Sequence, residues 1–98
     1  MAQPPSVPVA RVLRVRGRVQ GVGFRDACVD AARHAGLSGW VRNRRDGTVE
    51  VLVAGAPERV AGFEAWLRRG VPLARVDAIE AEPAEPPPGD AFERRPTT

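Results

Sequence analysis

With 98 residues, 43% of them apolar and 28% charged, the chain can build one domain around one core and no more. A single cysteine, Cys28, excludes an intrachain disulfide, and with one histidine, His34, the stock of soft ligands excludes a zinc site built from several of them. The net charge of +3, in which every basic residue is arginine, is a weak argument for nucleic acid and suits a small anionic ligand equally well.

Residues 1–8 hold three prolines among small polar residues and are expected to form a disordered lead with nothing to bury, leaving 9–95 as the domain. The lead lacks the apolar stretch of a secretory signal, and no apolar run in the chain approaches the roughly 20 residues of a membrane span, so a cytoplasmic protein is expected. Residues 9–17 alternate: Leu13, Val15 and Gly17 share one face, and Val12, Arg14 and Arg16 the other, the period of a strand. Residues 18–23, with Gly21 and Gly23, read as a loop. A helix follows over about 24–35, with Phe24, Cys28, Ala31, Ala32 and Ala35 as its apolar stripe, and Gly36 is placed to stop it in the left-handed conformation.

Residues 39–44 and 48–54 read as strands joined by the turn signal Arg45-Asp46-Gly47. A second helix is expected over 57–69, opened by Pro57 and closed by Gly70, with Val60, Phe63 and Leu67 on one face and Trp66 beside them. Residues 75–82 read as a strand, Pro83 to Gly89 as a loop and 91–95 as a short edge strand. The order β-α-β-β-α-β, with a short extra C-terminal strand, predicts two interlocked right-handed crossovers, giving an antiparallel sheet with both helices on one face.

Two segments carry candidate chemistry. In Gly17-Arg18-Val19-Gln20-Gly21-Val22-Gly23-Phe24-Arg25, a glycine loop leads into a helix N-terminus. The unpaired amides of such a start attract anions. The glycines allow the amides to converge into a nest, and Arg25 adds a fork for two phosphoryl oxygens. On the residues alone, an ordinary βα loop with a surface arginine is an equal reading. In Gly39-Trp40-Val41-Arg42-Asn43, Asn43 shares a strand face with Val41 and ends the strand facing the first loop. Its amide can accept from water and donate to an oxygen, or it is simply a turn asparagine. Cys28, on the apolar stripe, reads as a buried inert thiol, and His34 as solvent-facing. Arg42, Arg44 and Arg45 read as a solvated hairpin face that raises the local positive potential.

The run from Gly17 to Arg25 resembles the phosphate-binding signature of the acylphosphatase family. Gly36 to Asn43, continued by Asp46 to Glu50, is similar to that family's second signature, and Phe63, Trp66-Leu67 and Gly70 to Val76 resemble its second helix and exit. The resemblance spans about residues 9–82. It implies an α/β sandwich (α+β) of ferredoxin-like type that hydrolyses acyl phosphates to a carboxylate and inorganic phosphate, with no metal or cofactor. It assigns phosphate binding to Gln20, Gly21, Val22, Gly23, Phe24 and Arg25, and catalysis to Arg25 and Asn43. The expected partner is a small acyl phosphate, with neither nucleic acid nor membrane involved, and a monomer is the default.

The C-terminus departs from the family pattern: Arg94 stands where an apolar residue is expected after Phe92, and Pro96 cannot donate to a ladder. Three alternatives use the same fold: a binding or regulatory module without turnover, the acylphosphatase-like domain of much longer carbamoyl-transfer maturation proteins, and a single-stranded RNA binder. The last needs stacking aromatics on its central strands, and 9–17 and 48–54 hold none.

Overall fold

The strand β1 (Val9–Arg18) alternates as its sequence does: Leu13 and Val15 are fully buried, while Arg14 and Arg16 reach the other face. It is followed by α1 (Phe24–His34), β2 (Ser38–Asn43), β3 (Val49–Gly55), α2 (Pro57–Arg69), β4 (Arg75–Pro83) and β5 (Phe92–Arg94). These elements come from a computed structural model that describes residues 7–69 and 71–98. Most of the expected disordered lead, and the helix-stop position Gly70, lie outside the described residues.

The sheet runs in the order β4-β1-β3-β2-β5. Its first four strands pair antiparallel, which makes the β-α-β-β-α-β unit ferredoxin-like. The short β5 pairs parallel to β2, so the complete sheet is mixed. Leu13, Val15, Val41, Val49, Val51 and Val53 form the sheet's contribution to the core. Against them α2 packs Val60, Phe63 and Leu67, as expected. The buried residues of α1 are Phe24, Cys28, Val29 and Ala32, so Val29 joins the stripe, while Ala31 and Ala35 are only half-buried beside α2.

The end of α1 sets the start of β2. Gly36 is left-handed at φ 68. The amides of Gly36 and Leu37 donate back to the carbonyls of Arg33 and Ala32 at 3.1 and 2.9 Å. This is the paired bond pattern of a Schellman stop, and it drops Leu37 into the core.

The sheet's outer face is closed by long side chains rather than by a layer. Glu50 on β3 is buried there, with Arg42 Nη2 at 2.7 Å, Arg44 Nη1 at 3.5 Å and Arg14 Nη2 at 3.7 Å from its carboxylate. The guanidiniums of Arg42 and Arg95 lie 4.5 and 5.1 Å from the ring centroid of Trp40.

Candidate active site

Where β1 ends, buried Val19 and half-buried Val22 anchor the following loop to the core. Gly21 and Gly23 both adopt left-handed backbone, at φ 75 and 76. A side chain there costs about 1–2 kcal/mol. A Cβ at either position would meet nothing within 4 Å, so backbone handedness rather than crowding calls for glycine. Gly23 is the N-cap of α1, and no side chain caps the helix start. The orphan amides of the first turn therefore lie beside a curled glycine loop.

The second half of the site hangs on the β2–β3 hairpin. Asp46 accepts from the Thr48 hydroxyl at 2.6 Å and from the Thr48 amide at 3.0 Å. These two bonds, the side-chain one first, hold the Asp46 carboxyl below its ordinary pKa. The Gly47 amide closes the turn on the Arg44 carbonyl at 3.1 Å. Gln20 ties loop to hairpin: its Nε2 donates to the carbonyls of Arg44 and Thr48 at 2.8 and 2.9 Å. The chain after β5 clasps the other side. The Arg95 amide donates to Val41 O at 2.8 Å, the Thr98 amide to Asn43 O at 3.1 Å, and the Arg45 amide to Thr98 O at 3.0 Å. This ladder skips Pro96, so its missing donor costs nothing.

Loop and hairpin meet in a pocket of about 220 Å³ lined by Val19, Gly21, Gly23, Phe24, Arg25, Asp26, Asn43 and Arg94. Its size is below the usual range of about 300–1,000 Å³ for drug-sized ligands and suits a small polar group. Asn43 faces it as the strand alternation requires, and its Oδ1 is buried with no protein hydrogen-bond partner. Arg25 stands half-buried at the same pocket and pairs with no carboxylate among the described residues. Of the six residues expected to hold phosphate, Gly21, Gly23, Phe24 and Arg25 line the pocket. Gln20 and Val22 stand outside its lining, the first turned to the hairpin and the second to the core.

Three lining residues, Val19, Asp26 and Arg94, were not anticipated as site residues. Arg94 Nη1 lies 2.7 Å from Asp26 Oδ1, across the pocket mouth. Position 94 shares the inward face with Phe92; at the end of the sheet that face is no longer core but pocket rim, which explains an arginine in place of an apolar residue. The signal was the two-residue spacing from Phe92. Arg42 and Arg44, read as a solvated hairpin face, are instead half-buried and tied to Glu50 on the opposite side of the sheet.

A larger groove of about 780 Å³ lies between the helices, lined by Ala31, Ala35, Phe63 and Trp66 with Asp30, His34 and Arg59. It is mostly apolar and has no convergent amides, so the smaller pocket is the candidate. His34 is exposed, as read. Burial pushes the Cys28 thiol up to about 12, which leaves it neutral and unreactive. Among the described residues no group of three or more His, Cys, Asp or Glu side chains gathers as a metal site would require. No helix among them is long and apolar enough to cross a membrane.

Comparison with known proteins gives the same family at three levels. The acylphosphatase family profile matches residues 11–94. An acylphosphatase of Azoarcus sp. (strain BH72) is 50% identical over 97 residues, spanning 99% of either chain. The structure of an acylphosphatase from Coxiella burnetii superposes with a TM-score of 0.85 at 31% identity, covering 90% of this chain and 93% of that one. That of an acylphosphatase from Bacillus subtilis gives 0.83 at 34% identity, over 89% and 98%.

Proposed function

This chain belongs to the acylphosphatase family, and we propose that the pocket between the glycine loop and the β2–β3 hairpin is where it works. Its reaction is hydrolysis of the carboxyl–phosphate bond of an acyl phosphate to a carboxylate and inorganic phosphate. In this reading the backbone amides of residues 20–24 and the Arg25 guanidinium bind the phosphoryl oxygens. Asn43 holds the attacking water. The observation that carries the assignment is the orphaned Asn43 Oδ1, a buried acceptor with no protein donor, sharing one small pocket with Arg25 and the left-handed glycines. A buried acceptor with no donor costs about 1–3 kcal/mol, so Asn43 Oδ1 is a place where a donating water is held.

The water oxygen forms its bond to phosphorus as the bond from phosphorus to the acyl oxygen breaks. The electron pair leaves with the carboxylate, which departs without protonation, so no strong general acid is required. An amide cannot take the water proton; a phosphoryl oxygen of the substrate accepts it. Catalysis is then positioning together with electrostatic complementarity. In the same reading the chain acts as a monomer in the cytoplasm, with no metal partner.

Hydrolysis of benzoyl phosphate, followed with and without a strong chelator and with inorganic phosphate as inhibitor, tests the reading. Full activity in chelator and competitive inhibition by phosphate are expected. Turnover lost to chelator and restored by a divalent ion, or phosphate inhibition that is not competitive, contradicts it.

A further inference from the structure

Arg94 reaches the pocket that Arg25 also lines, and they are not equivalent. Arg25 leaves the first turn of α1 beside the amide loop. Arg94 comes from β5, opposite, and its Nη1 is fixed 2.7 Å from Asp26 Oδ1. Its strand is well anchored: Phe92 is buried, and the Phe92 carbonyl accepts from Arg33 Nε and Nη2 at 3.2 and 3.0 Å. The Arg94 side chain is nonetheless 49% exposed and its partner Asp26 is 70% exposed, so the pair stands at the rim. A guanidinium carries five N–H donors in a planar fork, and the Asp26 bond uses only Nη1. An exposed ion pair of this kind contributes little to stability, so stability alone does not explain a cation there.

With the phosphoryl group against the amide loop and Arg25, the acyl portion leaves the pocket through the rim that Arg94 and Asp26 form. We propose that Arg94 determines specificity, binding an anionic group on the acyl portion, so that the enzyme favours acyl phosphates carrying a second negative charge. The inference rests on the phosphoryl site proposed above. Asp26 has two consequences: it holds the guanidinium in place, and its own negative charge makes the rim unattractive to an anion that does not engage Arg94. A lysine is a poorer substitute, since a point charge cannot serve Asp26 and a ligand in one plane.

The test compares kcat/KM for benzoyl phosphate with that for 3-carboxybenzoyl and 4-carboxybenzoyl phosphate. The added carboxylate supplies the second charge in two geometries and alters the leaving group little. The wild type is expected to favour at least one carboxylated substrate. Arg94→Ala is expected to lower the ratio of carboxylated to neutral kcat/KM by about fivefold, the scale of an exposed charge pair. Arg94→Lys recovers part of that ratio, and the inhibition constant of phosphate moves by less than the ratio does. Thermal unfolding checks each variant, and Arg94→Gln replaces the alanine variant if that fails to fold. An unchanged ratio makes Arg94 a strut between β5 and α1 and overturns the proposal. So does a phosphate inhibition constant that rises as much as the ratio falls, which makes Arg94 a phosphoryl ligand. A wild-type chain that hydrolyses none of the three substrates removes the site reading itself, and the proposal with it.

Discussion

The side chain of Gln20 leaves the loop its backbone belongs to and donates to two carbonyls of the hairpin that carries Asn43, those of Arg44 and Thr48. The sequence marks position 20 as part of a glycine loop, but nothing local to it reveals a partner 24 or 28 residues away. The roles expected of Arg25 and Asn43 came from the family resemblance; on the residues alone a surface arginine and a turn asparagine stood as open readings. Arg94 obeyed the strand periodicity from Phe92, yet knowing that its face had become a rim required knowing where the sheet ends. Gln20→Ala removes that donor from both carbonyls, which still accept from the Gly47 and Arg44 amides, so a loss of about 0.5–1.5 kcal/mol for each bond is expected. On the proposed division of labour, it also lets Asn43 drift from the loop. Turnover on benzoyl phosphate should therefore fall more than phosphate affinity does, measured by steady-state kinetics beside calorimetry. Equal losses in both would make Gln20 a support of the anion loop alone.

At the scale of elements, the strands and helices are legible to within a residue or two because burial follows a period of two through the middle of β1 and the helical period in α2, whereas β3 alternates in sequence but is buried on both faces over 49–54. The parallel pairing of β5 with β2 was not legible, since three residues carry no orientation of their own and the choice is made by Phe92 entering the core and by Arg33 holding its carbonyl. Glu50 alternates with Val49 and Val51 along β3 and so stands on the outer face of the sheet, where it is hidden. Its burial arises from three arginines of β1, β2 and the hairpin that fold over it. Removing one member of a buried charge cluster leaves the others uncompensated. Glu50→Gln is therefore expected to destabilise the fold by about 1–3 kcal/mol. For a domain of this size that lowers the melting temperature by about 4–8 °C for each kcal/mol. Calorimetry checks this; an unchanged melting temperature would show that the arginines are held by solvent and by Trp40 instead.

Over the whole molecule, the crossed β-α-β units bring the β1–α1 loop and the β2–β3 hairpin to one end of the sheet, 18 or more residues apart in sequence between Arg25 and Asn43. The helices bury one face, the arginine and glutamate side chains close the other, and the pocket opens where neither covers the sheet. The architecture thus places the proposed anion-binding loop and the proposed water-binding amide on two separate elements, and on that reading their functions should be separable by mutation. Arg25→Ala removes a forked cation: phosphate affinity should fall by about tenfold or more, and most turnover should go with it. Asn43→Ala removes an amide that the account reserves for water: turnover should fall by about 10² or more, the scale of losing one preorganised polar group, with phosphate affinity nearly retained. The decisive measurement is phosphate affinity by calorimetry on folded Asn43→Ala, beside its rate on benzoyl phosphate. Near-normal affinity with turnover lost is the result the account predicts; affinity lost as badly as in Arg25→Ala, or full activity retained, contradicts it.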